Sequence, residues 1–431
     1  MTRMQYTMCA MATAAAILAG APMTARSTGS APPVTLAIAG RTNATPSIAA
    51  MNQHVAVAWG ATLPTGGTDV YAAVSRDGGR TFRSPVRVND VDGNASLGLE
   101  QPPRISIVAH PGHDPSIVVV WTAKSKDGTR LLVARSDDGG AFTHAVPVVA
   151  SEAVGNRGWL STTVDRNGRV IALWLDHRDM APTAGAMSHE GHAHADPATP
   201  KPDGAARAQL SKVYAGAIDA PVAQAITGGV CYCCKTALTT GPDGSIYAAW
   251  RHVYPGNIRD IAFAVSRDGA RTFSAPSRVS DDHWMLDGCP ENGPALAVSA
   301  DGMVHALWPT LVAGPATDEE PALALFHAAT RDGRTFSPRE RVATEGTPRH
   351  PQLSWTPAGL VAAWDEETGN GSRRVVLARF KSGGSPGARV SREAVSGSAR
   401  AQTPALAGTS DGVVLAWTEG TEQSVIRVER R

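Results

Sequence analysis

The residues best suited to chemistry in this sequence are four cysteines that lie in two short segments. Cys231-Tyr-Cys233-Cys234 places three thiols within four consecutive residues, and Cys289 follows in a second segment, Asp287-Gly-Cys289-Pro. Soft thiolate ligands select metals such as copper and zinc. In an oxidising compartment the same four residues can instead form two disulfides, with three alternative pairings. Both interpretations stay open from the sequence alone.

A segment rich in imidazole and thioether groups lies upstream of these cysteines. It reads Met187-Ser-His189-Glu190-Gly-His192-Ala-His194. Imidazole, thioether and thiolate together suit copper first and zinc second. The predicted metal ligands are therefore Cys231, Cys233, Cys234, Cys289, His189, His192 and His194. Alone, a short His-rich segment is also typical of a solvated surface loop, so the metal hypothesis depends on whether the fold brings this segment to the cysteines.

Charged side chains recur directly before or after short apolar segments of the chain. Such positions are candidates for ligand contact, because binding residues concentrate on loops that a rigid scaffold positions. The residues predicted to bind a ligand are Arg104, Arg157, Asp176, Arg251, His252, Arg349 and His350. The alternative is that loops are polar because water surrounds them, which accounts for most of these residues one at a time.

The elements that must position these residues follow from a repeat. A short apolar strand that ends in tryptophan recurs at intervals of roughly 50 to 75 residues, and its tryptophans are Trp59, Trp121, Trp174, Trp250, Trp308, Trp364 and Trp417. Another strand precedes each of these, and several follow an Asp-Gly or Asn-Gly turn that is typical of β-hairpins. Two further strands complete a full unit. Four strands in each of seven units predict an all-β fold, a seven-bladed β-propeller.

The ring is predicted to close by pairing between its two ends. The seventh unit has three strands before Arg431, and residues 33–40, which include Val34-Thr-Leu-Ala-Ile-Ala39, form a strand ahead of the first unit. Pairing of this strand with the last blade supplies the missing fourth strand and removes an exposed sheet edge. The prediction is a single propeller domain over residues 33–431.

Blade connectivity predicts which loops share a face of the propeller. In a four-stranded meander, the segments that lead into the first strands lie on the same face as the loops between the second and third strands. Both cysteine segments lead into first strands of neighbouring blades. An insertion predicted to be a loop, residues 178–209, holds the His/Met segment and follows Trp174 on that face. The cysteines, the histidines and the predicted ligand-binding residues are therefore expected on one face.

The N-terminal segment and the composition limit the possible compartments and partners of the protein. Arg3, then a short apolar run, then small residues are typical of a secretory signal peptide, predicted over residues 1–25 and including Cys9. Later segments are too polar to span a bilayer, and a formal net charge of +1 gives no basis for nucleic-acid binding. The mature protein is predicted to be periplasmic or secreted, with a small molecule, a metal or a glycan as its ligand.

A second repeat carries a resemblance to a known family. Residues Ser75–Phe82 read Ser-Arg-Asp-Gly-Gly-Arg-Thr-Phe, close copies lie at Ser266–Phe273 and Thr330–Phe336, and a degenerate copy lies at residues 136–142. Asp77 and its equivalents can accept backbone N–H bonds in a tight turn, in which the following glycine adopts a positive φ. This pattern resembles the Asp-box (BNR) repeat of sialidase-like β-propellers. The resemblance implies six blades as the alternative to seven, with these turns on the face away from the active site.

The sialidase resemblance also implies a catalytic hypothesis. Catalytic members hold the substrate carboxylate with three arginines, and use a tyrosine nucleophile assisted by a glutamate together with an aspartate acid/base. Arg104, Arg157 and Arg349 are the candidate arginines here, although the family's Arg-Ile-Pro motif is not reproduced because Arg104 is followed by Ile-Ser. If the protein is a hydrolase, the catalytic candidates implied are Tyr254, Glu291 and Glu366.

Three functional hypotheses follow from the sequence. The leading one is an exported, non-catalytic binding protein whose Cys/His/Met cluster binds copper, with zinc as the second choice. The first alternative is a sialidase-like glycoside hydrolase that recognises an acidic sugar through its arginines. The second alternative is a scaffold for a protein partner, in which the cysteines serve as disulfide staples.

Overall fold

The computed structural model describes Met1 and residues 32–148, 155–180, 204–313, 320–380, 390–396 and 400–431. The chain divides into two units, Met1–Ser30 and Ala31–Arg431. The predicted signal peptide lies outside the described residues except for Met1, and so do His189, His192 and His194. Within the described ranges, no helix is both long enough and apolar enough to cross a membrane.

The unit Ala31–Arg431 forms seven four-stranded antiparallel sheets, each a propeller blade. The first strand among the described residues is β1 (Val34–Leu36). Blade 1 consists of β2 (Thr42–Met51), β3 (His54–Thr62), β4 (Thr68–Ser75) and β5 (Val86–Arg87). Blade 2 consists of β6 (Arg104–His110), β7 (His113–Ser125), β8 (Gly128–Ser136) and β9 (Val146–Pro147). Blade 3 consists of β10 (Arg157–Val164), β11 (Val170–Asp176), β12 (Lys212–Ala217) and β13 (Gln224–Gly228), with helix α1 (Gly204–Leu210) between β11 and β12.

The remaining blades repeat the same meander. Blade 4 consists of β14 (Ala237–Thr240), β15 (Ile246–Arg251), β16 (Ile261–Ser266) and β17 (Ser277–Arg278). Blade 5 consists of β18 (Ala295–Val298), β19 (Val304–Val312), β20 (Ala322–Thr330) and β21 (Glu340–Val342). Blade 6 consists of β22 (Thr347–Thr356), β23 (Gly359–Glu367), β24 (Arg373–Phe380) and β25 (Val390–Ala394). Blade 7 consists of β26 (Ala401–Thr409), β27 (Gly412–Glu419), β28 (Val425–Arg430) and β1. The prediction of seven blades rather than six is confirmed.

The predicted closure of the ring is also confirmed. Strand β1 runs antiparallel to β28, with Val34 opposite Val428 and Leu36 opposite Ile426. The N-terminal strand thus completes the last blade and covers the sheet edge that β28 would otherwise expose.

The recurrent tryptophan of each blade fills the wedge against the blade before it. All seven tryptophan side chains are buried. Trp121 of blade 2 packs in one cluster with Ala58 and Val70 of blade 1, and Trp59 of blade 1 packs with Val414 of blade 7. Radial sheets diverge outward, so a large flat side chain at this position fills volume that a smaller residue would leave as a cavity.

The turns of the second repeat lie at the opposite end of the blades from the cysteine segments. Asp268 Oδ1 accepts the backbone N–H of Thr272 (2.9 Å) and of Arg271 (3.1 Å), and Asp77 makes the same contacts in blade 1. Burial raises the pKa of Asp268, but the hydrogen bonds from Thr272 and Ser266 outweigh it and lower the pKa to about 2. The expected turn chemistry of these aspartates is therefore present.

The insertion between β11 and β12 ends in a helix rather than a loop. Helix α1 reads Gly-Ala-Ala-Arg-Ala-Gln-Leu, a composition with good intrinsic helix propensity. Its Ala208 is buried in one apolar cluster with Cys231, Cys234 and Val253. The sequence predicts a loop here because the segment shows no repeated apolar face. Tertiary packing against the cysteines stabilises the helix, and the sequence pattern alone does not reveal that packing.

Candidate functional site

The first strands of the blades surround the axis of the ring, where each contacts the first strand of the next blade. A cavity of about 210 Å³ opens among them. Three side chains that can carry positive charge line it, namely Arg104, Lys235 and His350. Hydroxyl and amide groups add to its polar lining, and these belong to Thr45, Ser47, Ser161, Thr162, Thr236, Gln352 and Thr403. Such a lining offers hydrogen-bond donors and positive charge to a small anionic ligand.

Lys235 joins three blades at the cavity wall. The residue is buried, and its Nζ donates to the carbonyl oxygens of Pro294 (2.6 Å) and Pro351 (3.1 Å). Burial lowers the pKa of Lys235 to about 8, and the negative charge of Glu100 opposes that shift. The ammonium group is therefore mostly protonated near neutral pH and loses its charge as the pH rises through about 8.

Glu100 is a buried acidic residue next to Lys235, and the sequence analysis missed both residues. The Oε2 of Glu100 accepts the backbone N–H groups of Lys235 (2.8 Å) and Gly293 (2.7 Å). Its other carboxylate oxygen, Oε1, is buried without a hydrogen-bond partner. The available signal was its place in Leu99-Glu-Gln-Pro-Pro103, the segment that leads into β6. Glu100 thus connects three blades and supplies the counter-charge for Lys235.

His350 and Asp365 form a buried pair beside the same cavity. The Nδ1 of His350 donates to Asp365 Oδ1 at 2.6 Å, and this oxygen also accepts the backbone N–H of Thr403 (3.1 Å). Burial lowers the pKa of His350, but the charge and hydrogen bond of Asp365 outweigh it, so the pKa lies above 6.5. Because Nδ1 is engaged, Nε2 is the His350 nitrogen left for a ligand.

Local backbone strain marks the N-terminal segments of four first strands, β2, β10, β22 and β26. Thr45, Trp159, His350 and Thr403 have φ values of 55°, 52°, 49° and 50°. Each lies inside a register shift between the first and second strands of its blade. Non-glycine residues seldom adopt this left-handed conformation, and such bulges redirect the chain. The bulges therefore help set how these segments meet the cavity.

The three candidate arginines do not share one environment. Arg104 lines the cavity, and its Nε donates to the carbonyl of Leu160 (2.7 Å). Arg157 is 1% exposed, and its Nε lies 3.3 Å from Asp176 Oδ2. Arg349 is not among the described residues that line the cavity, and its Nε is buried without a hydrogen-bond partner. Ligand contact by Arg157 and Arg349 stays a prediction.

Two acidic residues that follow tryptophans accept hydrogen bonds from the indole N–H groups. Asp176 Oδ2 accepts the Trp174 Nε1–H at 3.2 Å, and Glu366 Oε2 accepts the Trp364 Nε1–H at 3.1 Å. Each acid also pairs with arginines of its own blade, Arg178 for Asp176 and Arg374 for Glu366. Both acids are buried. Their recurrence two residues after tryptophan therefore has a structural cause, the satisfaction of a buried donor.

The remaining candidates lie on blade 4 and the segment that leads into blade 5. Arg251 is buried and makes four hydrogen bonds to the carbonyls of Arg259, Asn292 and Pro309. The rings of His252 and Tyr254 meet edge to face at 4.6 Å, and burial together with the charge of Arg278 lowers the pKa of His252 to about 4. Glu291 is exposed. The catalytic set Tyr254, Glu291 and Glu366 stays a prediction. Tyr254 belongs to blade 4 and Glu366 to blade 6, and each contacts residues of its own blade.

The predicted proximity of the cysteines is present. Cys231 Sγ lies 3.8 Å from Cys233 Sγ and 3.7 Å from Cys234 Sγ, and the three sulfurs lie within 4.8 Å of one another. A disulfide joins Cys233 to Cys289, while Cys231 and Cys234 are free and buried. The structure thus combines a disulfide with a compact sulfur cluster, instead of the two disulfides of the alternative interpretation.

The cluster is polarised by a buried arginine. Arg259 Nη1 donates to Cys231 Sγ at 3.2 Å. The hydrogen bond from Cys234 and the positive charges of Arg259 and Arg251 lower the pKa of Cys231 to about 7, against the effect of burial. Burial raises the pKa of Cys234. The Cys231 thiol can therefore ionise near neutral pH, and the thiolate is the form that binds metals.

Both described ends of the 178–209 insertion lie near the cysteine cluster. At its start, His177 packs on Trp159, with ring centres 5.1 Å apart, and Trp159 O accepts the N–H of Thr236, two residues after Cys234. At its end, the N–H of Gly204 donates to Asp287 (3.1 Å), two residues before Cys289. The placement of the insertion as a whole beside the cysteines stays a prediction. His189, His192 and His194 lie outside the described residues, so their role stays a prediction.

Comparison with known proteins relates this chain to others by fold. No protein-family model matches the sequence, and no curated relative matches it. The α-L-arabinanase of Penicillium chrysogenum, solved with arabinobiose, superposes with a TM-score of 0.51 at 13% identity, over 94% of this chain and 98% of that one. The polysaccharide lyase Uly1 superposes with a TM-score of 0.52 at 11% identity, over 95% of this chain and 94% of that one. The Hadza microbial sialidase Hz136 superposes with a TM-score of 0.48 at 12% identity, over 84% of this chain and 73% of that one. At these identities the similarity concerns the fold, and the chain is a seven-bladed β-propeller.

Proposed function

We propose that this protein is an exported, non-catalytic binding protein that holds a transition metal, copper first and zinc second, at Cys231, Cys233 and Cys234. The observation that carries the proposal is the cluster of three sulfurs within 4.8 Å of one another. Sulfurs at this spacing can reach one metal ion together, and thiolates favour Cu(I) and Zn²⁺ over harder cations.

The surroundings of the cluster support a metal thiolate. Ala208 and Val253 pack with the cysteines and limit access of water. The Arg259 guanidinium, which contacts Cys231 Sγ, offsets the negative charge that several thiolates would bring together. Cys233 becomes a ligand when its disulfide with Cys289 is reduced, since only the thiolate binds a metal. The histidines at 189, 192 and 194 are additional proposed ligands from the insertion.

Metal content tests this function directly. Protein purified from the periplasm without a His-tag, under anaerobic and reducing conditions, is expected to hold about one copper per chain by elemental mass spectrometry. The Cys231→Ser/Cys234→Ser variant is expected to lose it, because two of the three sulfurs are gone. Cys289→Ser is the matched control, since it removes a cysteine but leaves the three-sulfur cluster intact. Circular dichroism checks that all three proteins are folded.

Two results would count against this function. One is wild-type protein that stays free of copper and zinc after both metals were supplied during growth and the thiols were kept reduced. The other is a Cys231→Ser/Cys234→Ser variant that keeps as much metal as the wild type. The first result would remove the metal proposal, and the second would move the metal to another part of the chain.

A second candidate function is the binding of an anionic glycan in the central cavity. The specific observation is the convergence of Arg104, Lys235 and His350 on one polar cavity. The arabinanase and the polysaccharide lyase that share the fold act on carbohydrates by name. Bidentate pairing of a guanidinium with a carboxylate gives such a site specificity for acidic sugars.

The pH dependence of binding tests the second candidate. Lys235 is charged below its pKa of about 8 and neutral above it, so affinity for an anion is lost as the pH rises through about 8. Glucuronate binding, measured by calorimetry, is expected to weaken by roughly tenfold between pH 7 and pH 9. Lys235→Met should bind weakly at both values. Equal affinity for glucuronate and uncharged glucose, or no change across this range, would rule out Lys235 as the anion-binding group.

A further inference from the structure

The cysteines differ in their access to solvent. Cys289 is exposed, whereas Cys231, Cys233 and Cys234 are buried, with exposed fractions of 1%, 6% and 2%. The disulfide therefore joins the solvent-facing cysteine to one member of the buried cluster. Access decides which sulfur of a disulfide an external thiol attacks. Cys289 is the exposed residue of this bond, and Cys233 is the buried one.

The disulfide also decides how many sulfurs the cluster can offer to a metal. While Cys233 is bonded to Cys289, only Cys231 and Cys234 are free. Reduction releases Cys233 at a position where its Sγ lies 3.8 Å from Cys231 Sγ. The set then changes from two thiols to three.

We infer that Cys289 is a thiol–disulfide exchange site, at which an external thiol controls the loading of the buried cluster with metal. This inference rests on the proposed metal function for its consequence, while the exchange reaction itself stands on the exposure of Cys289 and the burial of Cys233. The chemical class of the reactant is a low-molecular-weight thiol or a reactive protein dithiol.

The exchange balances in two steps. An external thiolate attacks Cys289 Sγ, forms a mixed disulfide with it, and breaks its bond to Cys233, which leaves as a thiolate. A second external thiol attacks the mixed disulfide, so the external disulfide forms and Cys289 leaves as a thiolate that takes up a proton. Two electrons pass from the external thiols to the protein. Metal binding by the released Cys233 thiolate favours the reduced state by mass action.

A competing reaction uses the same sulfurs. Cys231 can attack Cys233 Sγ across 3.8 Å, form a Cys231–Cys233 disulfide and release Cys289 as the leaving thiolate. This internal exchange would keep Cys233 in a disulfide and would also make the Cys231 thiol unavailable to a metal. The two routes give different products, so peptide mapping separates them.

The exchange is tested on the oxidised full-length mature protein with glutathione as the external thiol. After acid quenching and alkylation, mass spectrometry is expected to find glutathione on Cys289 early in the reaction, and four alkylated cysteines after excess dithiothreitol. Before reduction, alkylation under denaturing conditions should label only the two cysteines that are free in the structure. Glutathione found on Cys233, a Cys231–Cys233 product, or a bond that resists reduction in the folded protein would overturn the proposed exchange.

The metal consequence is tested separately by Cu(I) competition against a colorimetric chelator under argon. Oxidised wild type is expected to bind Cu(I) at least about tenfold more weakly than reduced wild type, because it lacks one sulfur ligand. Cys289→Ser, with its three free thiols verified, should match the reduced protein without prior reduction. Equal affinity in both redox states would overturn the control by Cys289 and leave the proposed metal function standing. Absence of Cu(I) binding in the reduced protein and in Cys289→Ser would remove both.

Discussion

Replacement of Arg251 by methionine is expected to lower the free energy of unfolding by about 3–5 kcal/mol, because it leaves buried acceptors without their charged donor. The guanidinium donates to the carbonyls of Arg259 (2.6 Å), Asn292 (3.0 and 2.8 Å) and Pro309 (2.7 Å). It also lies 4.6 Å from the ring centre of Trp284. Methionine keeps much of the aliphatic volume and removes these bonds. Urea denaturation followed by fluorescence measures the loss.

The control for this prediction is an arginine on the surface. Arg331 contacts Asp301 at 2.6 Å, but both side chains are about 60% exposed, so Arg331→Met is expected to change stability by less than about 1 kcal/mol. Arg251 was predicted from the sequence to bind a ligand. If Arg251→Met unfolds like the wild type but loses affinity for a ligand, that original prediction is right and the structural role is wrong.

The fold was predictable because each blade repeats the same physical problem. A strand that ends in tryptophan, preceded by another strand and followed by two more, has few ways to bury its apolar residues other than against its neighbours. The tryptophans pack between blades as that pattern requires. The N-terminal strand was predictable as well, since the seventh unit needed a fourth strand to cover its edge, and Val34 pairs with Val428 there.

The exposure of individual side chains was much harder to predict. Asp176 and Glu366 follow tryptophans on the expected face, yet both accept an indole N–H and lie buried. Arg157 leads into a first strand as expected, yet it is 1% exposed and paired with Asp176. The order of strands in the sequence predicts on which blade and on which face of the propeller a residue lies. It does not give the direction of a long side chain, which depends on partners from other strands.

The location of the cysteine region was predictable from the sequence, but its disulfide pairing was not. Its location follows from blade order, because two segments that lead into neighbouring first strands must meet. The pairing does not follow, since four cysteines allow three arrangements of two disulfides and also partial pairing. Asn292 and Arg259 decide the surroundings: the N–H of Asn292 reaches Cys234 Sγ at 3.4 Å, and Arg259 reaches Cys231 Sγ at 3.2 Å. Nothing in the sequence pattern marks either residue as a partner of sulfur.

Replacement of Glu100 by alanine is the second change with a large expected effect, a loss of about 3–5 kcal/mol of unfolding free energy. Glu100 Oε2 accepts the N–H groups of Lys235 and Gly293, so alanine leaves two buried donors without an acceptor. It also removes the negative charge that acts on the buried Lys235 and on Arg104. Thermal and urea unfolding of the purified variant measure the loss.

Glu100→Gln separates the hydrogen bonds from the charge. The amide oxygen can still accept both N–H groups, so its stability loss is expected to be smaller than that of Glu100→Ala. The charge is gone, and since the charge of Glu100 raises the pKa of Lys235, that pKa should fall below about 8. The pH at which glucuronate binding weakens should fall with it, because the neutral amine holds an anion less well. An unchanged midpoint would show that the charge of Glu100 does not set the pKa of Lys235, whereas equal destabilisation by glutamine and alanine would show that the lost charge, and not the hydrogen bonds, accounts for the stability loss.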